Sequence, residues 1–363
     1  MKEYYEYWMR ECFALARKAE GLTHPNPLVG CVVLKDGVVV GRGIHWKAGL
    51  PHAEQVALKE AKEKAQGGTL FVNLEPCNHW GKTPPCATLI VEAGIKKVVS
   101  AITDPHPLVQ GKGFAYLRQK GVEVVEGILE EEARELNAPF LHWSTTGKPY
   151  VTVKIAMSLD GKIALNSGES RWITSEESRR DGHYLRFLSD AILVGSRTVN
   201  LDNPQLTVRL WHSKFAKQPK KIVLSGSLNV RPDAVVFGPP QPAIIFTCSN
   251  DFSAMAQWEK LNVPVVRLPG VQGKIPIQAV LEELGKREIL HLLVEGGASL
   301  FQQFIQERQC QKVVFYIAPK IMGSRGLSFF PDFSINRLEE MIGGRIEQFQ
   351  VLGKDIKIVM SLV

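Results

Sequence analysis

Apolar residues recur every three or four positions over residues 3–20, with Trp8, Cys12, Leu15 and Ala19 in one row, which predicts an opening helix. Val29 to Leu34, the Asp36-Gly37 turn and Val38 to Gly41 then read as a hairpin over 29–42. The pattern continues with a helix over 52–65, a strand over 69–74 and a helix over 86–93 stopped by Gly94. A strand over 97–103, a helix over 112–120 stopped by Gly121 and a strand over 122–128 follow. Strands and helices that alternate after a hairpin predict a three-layer α/β/α sandwich.

A charged helix over 130–136 leads to the polar stretch Ser144 to Pro149, which reads as a linker. We place the boundary near residue 146, giving domains 1–146 and 147–363. The second half alternates again, with strands near 150–157, 190–195, 221–225, 243–247, 264–267 and 290–294. It ends on two or three β-like segments, including 312–317 and 355–362, so a second α/β domain is expected.

Composition narrows this little: 45% hydrophobic and 22% charged residues suit a soluble globular chain and exclude a disordered, collagen-like or coiled-coil one. No apolar run approaches the ~18 residues of a membrane span, and Met1 to Glu6 carries both charges. The expectation is no signal peptide, no membrane partner and a cytoplasmic location. The net charge of +7 is scattered rather than clustered. That fits an anionic small molecule, such as a phosphate ester, and permits nucleic acid. Six cysteines are too sparse for a disulfide framework. Cys12, Cys31, Cys248 and Cys310 read as inert buried thiols; Cys77 and Cys86 do not.

Those two sit in Pro76-Cys77 and Pro84-Pro85-Cys86, downstream of His52-Ala53-Glu54. One imidazole and two thiolates suit Zn2+, and three protein ligands leave a fourth position for water, as in a catalytic site. His52, Glu54 and Cys86 fall at helix starts, whose partial positive charge favours thiolates. Glu54 need not ligate: a carboxylate beside bound water can move its proton. His79 could instead fill the fourth position, which would make the site a closed structural staple.

The second domain carries its own pattern. Val151 to Met157 is apolar on both faces except for Lys154, so the strand should be central and its lysine should have a partner or a task. Asp202, heading an Asp-Asn-Pro turn, is the partner expected. Leu290 to Val294 runs into Glu295-Gly296-Gly297-Ala298-Ser299, where two glycines would admit a phosphate to a helix N-terminus. No Gly-x-Gly-x-x-Gly fingerprint accompanies it.

The first half resembles the cytidine-deaminase-like superfamily, and within it the deaminase domain of bacterial riboflavin biosynthesis. The residues that carry the likeness are His24-Pro25-Asn26-Pro27-x-Val29-Gly30, His52-Ala53-Glu54, and Glu75-Pro76-Cys77-Asn78-His79-x-Gly81-Lys82-Thr83-Pro84-Pro85-Cys86. Eight residues separate the cysteines, where nucleoside and tRNA deaminases usually have two, which argues against a nucleic-acid deaminase. Asp104-Pro105-x-Pro107-x-Val109-x-Gly111-Lys112-Gly113 also matches, except that His106 stands where Asn is expected. The resemblance implies that Asn26, His45, His79 and Lys82 hold the substrate.

The second half resembles the riboflavin-pathway reductase, whose α/β fold is similar to dihydrofolate reductase. Its segments are Ser170 to Thr174, Ser196-Arg197-Thr198-Val199-Asn200-Leu201-Asp202-Asn203-Pro204, and Glu295 to Ser299; Asn203 replaces a common Asp. The resemblance implies NADPH held at Ala156, Trp172, Thr198, Asp202, Gly297, Ala298 and Ser299. It implies substrate contacts at Ser170, Arg186, Leu206, Arg209 and Glu295, with the arginines as phosphate clamps. Taken whole, the chain is expected to be a bifunctional zinc-dependent deaminase and NADPH-dependent reductase. Its substrate would be a phosphoribosyl pyrimidine, its catalytic residues Glu54, Lys154 and Asp202, and its assembly a homo-oligomer, dimer or tetramer.

Overall fold

The computed structural model describes residues 1–80, 84–106, 109–211, 217–331 and 334–362. The chain divides into two compact units, Met1–Gly147 and Lys148–Val363. No helix among the described residues is long and apolar enough to cross a membrane.

The first unit runs α1 (Lys2–Arg17), β1 (Gly30–Lys35), β2 (Val38–Ile44), α2 (Ala53–Ala61), β3 (Thr69–Val72), α3 (Cys86–Glu92), β4 (Lys97–Ser100), α4 (Lys112–Gln119), β5 (Glu123–Val125), α5 (Glu130–Leu136) and α6 (Ala138–Thr146). The sheet order is β2-β1-β3-β4-β5; β1 is antiparallel to both neighbours, and β3, β4 and β5 are parallel. Helices cover both faces. A Cβ on Gly30 would lie 2.1 Å from the Cys12 carbonyl of α1, and one on Gly43 would lie 1.8 Å from the Ala53 carbonyl of α2. Gly43 pairs with Cys31, the neighbour of Gly30, so the two glycines open onto opposite faces. Helices α2, α3 and α4 touch in sequence, and Arg10 of α1 meets Glu132 of α5 at 3.5 Å. The result is the three-layer sandwich.

Two details depart from the sequence reading. The helix expected over 52–65 stays α-helical only to Ala61 and ends in a 3₁₀ turn, Lys62–Ala65. Ser144–Thr146, read as linker, is the last turn of α6. The hydroxyls of Thr145 and Thr146 donate back to the Leu141 and His142 carbonyls at 2.7–3.1 Å, so these polar residues are satisfied within the helix. Gly147, at φ +69°, closes it.

The second unit holds β6 (Tyr150–Ser158), β7 (Lys162–Ala164), α7 (Glu176–Leu188), β8 (Ala191–Gly195), α8 (Ser196–Asp202), β9 (Lys220–Leu224), β10 (Ile244–Thr247), α9 (Phe252–Lys260), β11 (Val265–Arg267), α10 (Ile277–Lys286), β12 (His291–Val294), α11 (Ala298–Gln306), β13 (Lys312–Ala318), β14 (Leu327–Ser328), β15 (Gly344–Leu352) and β16 (Asp355–Leu362). Nine strands form one sheet in the order β11-β10-β9-β8-β12-β6-β13-β16-β15; β7 and β14 make a separate ribbon. The first seven in that order are mutually parallel, and β16 and β15 close the edge antiparallel.

Strand β6 sits between β12 and β13, central as its sequence predicts. Val151, Val153 and Ile155 point into a core with α10 and α11. By alternation Lys154 and Ala156 face the other way, where Ala156 packs with Val314, Tyr316 and Val359 under Leu185 of α7. Helix α7 is fixed over that face at its start, where the buried Asp355 carboxylate accepts the Ser175 N–H and the Ser178 hydroxyl, both at 2.6 Å.

Two candidate active sites

In the first unit, β3 ends five residues before Cys77, which places the cysteine beyond the carboxyl end of a parallel strand. The start of α3 then grips it: the Cys86 N–H donates to Cys77 Sγ at 3.4 Å and the Ala87 N–H donates to the Cys77 carbonyl at 3.1 Å. His52 caps α2, with Gln55 Oε1 accepting its backbone N–H at 3.2 Å. His52 Nδ1 lies 3.6 Å from Cys77 Sγ and 3.3 Å from Cys86 Sγ, and the three ligand atoms lie within 4.8 Å of one another. One imidazole nitrogen and two sulfurs so converged fit Zn2+. The hydrogen bond between the sulfurs holds the Cys77 thiol down, to about 4, and pushes that of Cys86 well above the ordinary range, so the pair favours a single thiolate.

Glu54 lies in the first turn of α2, 4% exposed, with its carboxyl hydrogen-bonded to Cys86. Burial pushes that carboxyl up, against the pull of His52. It is not one of the three converging groups. His79 is exposed and also lies outside the cluster. Lys82 falls outside the described residues. Asn26 Nδ2 donates to His45 Nε2 at 3.0 Å, which leaves the His45 proton on Nδ1, toward the Pro51 carbonyl at 3.0 Å. Burial holds His45 below its ordinary value, in keeping with a neutral ring, and that ring stands edge-on to His52 at 5.4 Å.

Glu75 opens the motif that contains Cys77 and Cys86. Its buried carboxylate accepts four backbone N–H groups: Asp104 at 3.1 Å, Gly111 at 2.9 Å, Gly113 at 2.8 Å and Phe114 at 3.4 Å. It ties Asp104 and the start of α4 to the Cys77 loop. The available signal was an acid beside Pro-Cys at the end of an apolar strand, where a charge needs partners.

In the second unit the site gathers at the carboxyl ends of β6, β8 and β12. The neighbouring strands β8 and β12 each run straight into a helix, α8 capped by Gly195 and α11 capped by Gly297. A Cβ on Gly296 would lie 3.0 Å from Val194 Cβ and 3.1 Å from Thr198 Oγ1, and Gly297 has φ +72°. Thr198 and the Gly296-Gly297 turn therefore bring two helix starts together, with Ala298 and Ser299 in the first turn of α11. Such a cradle fits the phosphates of NADPH. Trp172 presents an exposed ring, with the Arg179 guanidinium 4.6 Å above it.

The expected Lys154–Asp202 pair is not formed among the described residues. Asp202 closes α8 and accepts the Ser170 hydroxyl at 3.1 Å. The acid near Lys154 is Glu295: Val153 pairs with Val294, and each charge is one residue further along. Burial holds the Lys154 ammonium below its ordinary value and Glu295 opposes that. Arg186 is already engaged within the protein: its Nε and Nη2 meet the Glu295 carboxylate at 2.6 and 2.8 Å, and its Nη1 donates to the Thr207 carbonyl at 3.0 Å, so three of its five N–H donors are taken. Burial would raise the Glu295 carboxyl, yet Arg186 overrides it and holds the group at about 2. The Arg209 N–H donates to His183 Nδ1 at 3.1 Å. The Leu206 side chain is buried in the core under α8.

Known proteins resemble both units. Residues 2–102 match the cytidine and deoxycytidylate deaminase zinc-binding region, and residues 149–358 match the RibD C-terminal domain. Riboflavin biosynthesis protein RibD of Aquifex aeolicus is 45% identical over 99% of this chain and 98% of its own length. That of Escherichia coli is 38% identical over 97% of each. The structure of Acinetobacter baumannii RibD superposes with a TM-score of 0.92 at 37% identity, covering 100% of both chains. That of the Thermotoga maritima diaminohydroxyphosphoribosylaminopyrimidine deaminase/5-amino-6-(5-phosphoribosylamino)uracil reductase does so with 0.85 at 35% identity, over 100% of this chain and 99% of the other.

Proposed function

The chain belongs to the RibD family of riboflavin biosynthesis proteins, and from that premise we propose which of its residues carry each of the two reactions. The protein is a bifunctional deaminase and reductase, with Zn2+ and NADPH as its cofactors. It removes the 2-amino group of 2,5-diamino-6-(5-phosphoribosylamino)pyrimidin-4-one. It then reduces the phosphoribosyl group of that product, giving 5-amino-6-(5-phosphoribitylamino)uracil.

In the first unit, His52, Cys77 and Cys86 hold the metal. Zinc bound there would supply Lewis-acid activation of a water. The Glu54 carboxylate is placed to take a proton from the attacking water and to deliver it to the departing amino nitrogen, so that ammonia leaves. Asn26 and His45, locked together, present a fixed edge to the pyrimidine. His79 reaches the substrate from the loop between the cysteines, and the motif adds Lys82 as a further substrate contact.

In the second unit, the Gly297 turn, Thr198, Ala156 and Trp172 hold NADPH, which supplies a hydride. Lys154 keeps its ammonium on the sugar and gives the proton that the ring oxygen takes as the C1–O bond opens. Glu295 and Arg186 set the charge around it. Ser170 and Asp202 bind the sugar hydroxyls, and Arg209 binds the phosphate.

The observation that carries the reading is the meeting of His52, Cys77 and Cys86 within 4.8 Å beside a buried Glu54. The test follows ammonia release and NADPH absorbance together on the diaminopyrimidine substrate. Ammonia should appear first and NADPH loss should depend on it. NADPH loss without ammonia would overturn the order.

A further inference from the structure

The Lys154 ammonium makes no hydrogen bond and no ion pair among the described residues, although it lies half-buried among charged groups. Arg186 engages both oxygens of Glu295, the acid that would otherwise neutralise Lys154. A cation drawn partly out of water without a partner is costly. What lies against it is the Tyr316 ring, whose centroid is 5.7 Å from Nζ. An aromatic face attracts an ammonium electrostatically and leaves its three N–H donors unused.

Tyr316 is itself held from behind. It is 1% exposed on β13, opposite Ala156 of β6 on one side and Lys357 of β16 on the other. Its hydroxyl donates to Asp181 Oδ2 at 2.5 Å, and Lys357 Nζ meets the same oxygen at 2.6 Å. A residue needed only to fill this core would not require a phenol tied to a buried ion pair.

We infer that Tyr316 is a positioning residue for reduction: its ring seats the Lys154 ammonium with all three donors free for the sugar, and Asp181 with Lys357 holds that ring in place. The inference rests on the assignment of Lys154 to proton delivery. The charged and titratable groups around Lys154 are Glu295 beyond β12, Arg186, His183 and Asp181 of α7, and Lys357 of β16. Unlike these, Tyr316 can be altered without removing a charge.

The test uses the full-length protein and the deaminated intermediate, 5-amino-6-(5-phosphoribosylamino)uracil, so that deamination does not intervene. Tyr316→Phe keeps the ring and loses only its tie to Asp181, so it should lose about threefold, with the basic limb displaced less than in Tyr316→Leu. Tyr316→Leu removes the ring. It should lower kcat/KM for NADPH oxidation about tenfold and move the basic limb of its pH profile down by about one unit, because the charged lysine has lost its attractive face. The position of that limb does not depend on how much of the protein is folded. If Tyr316→Leu does not fold, 3,4,5-trifluorophenylalanine at 316 keeps the shape, cancels most of the ring's attraction and should give the same displacement. A limb that stays in place would overturn the inference. Lys154→Gln, run in parallel, separates the two claims: if it keeps wild-type reduction, the assignment of Lys154 fails; if it is inactive while the Tyr316→Leu limb is unmoved, only the role of Tyr316 fails.

Discussion

Arg186 Nε lies 2.6 Å from Glu295 Oε1 in a pair whose side chains are 14% and 7% exposed. One guanidinium and one carboxylate, on a helix and a strand end far apart in sequence, thus fix each other at the reductase site. Planar two-point contact is something an ammonium cannot reproduce. Arg186→Lys should lower the stability of the second unit by about 2–3 kcal/mol, because a buried pair is weakened while its charge is kept. Calorimetry would register this as an earlier transition of that unit. Unchanged melting with a raised KM for the phosphorylated sugar would restore Arg186 to the phosphate.

Glu54→Gln should keep zinc and lose deamination by ~10²–10⁴-fold, the range for a positioned acid–base group. Metal analysis beside an ammonia assay checks both halves. Zinc loss in this variant would make Glu54 a ligand.

Cys77→Ala should lose bound zinc, while His79→Ala should retain it, since His79 is exposed and outside the three-ligand cluster. Equal depletion in the two variants would mean a closed, four-ligand site.

Glu75→Ala strands four backbone donors at once, three of them buried. A loss of at least about 3 kcal/mol is expected in the first unit alone. Thermal unfolding should show one early transition, with NADPH oxidation of the deaminated intermediate still intact.

His183 supplies the pH dependence. Burial first, then the charges of Arg186 and Arg209, holds its imidazole down at about 3. The folded ring refuses a proton that the unfolded chain accepts near 6.5, so stability falls as pH drops below that value and goes on falling to about 3. The slope is at most ~1.4 kcal/mol per pH unit. Glu295, held at about 2, adds a further loss below the ordinary carboxylate range. Melting temperatures between pH 7 and 4 should decline in wild type and flatten in His183→Gln; parallel curves would refute the assignment.

Much of the fold was legible because alternation and glycine stops report local geometry. The cluster of His52, Cys77 and Cys86 was legible because one imidazole and two thiols at that spacing leave few other readings. The linker was misread because threonine hydroxyls can bond to carbonyls one turn back, so Thr145 and Thr146 are polar and helical together. Strand β15 was not singled out: it lies at a sheet edge with Ile346, Phe349 and Val351 exposed, so its pattern records no core. The partner of Arg186 could not be read at all, since nothing local to α7 names an acid after β12. Tyr316 looks in sequence like any core aromatic; only the register of β6 and β13 brings it to Lys154.

The placement of β6 has a consequence for the order in which the two halves mature. The candidate metal ligands all fall between His52 and Cys86, within one stretch of chain, so that centre can close early in synthesis. Strand β6 is the first strand of its sheet to emerge, yet it ends up flanked by β12 and β13, and the ring beside Lys154 is anchored through Lys357 near the last residues. Non-local closure of this kind is slow. A growing polypeptide would therefore be competent for the first reaction while the apolar strand destined for the middle of the second sheet still waited, uncovered, for partners not yet made.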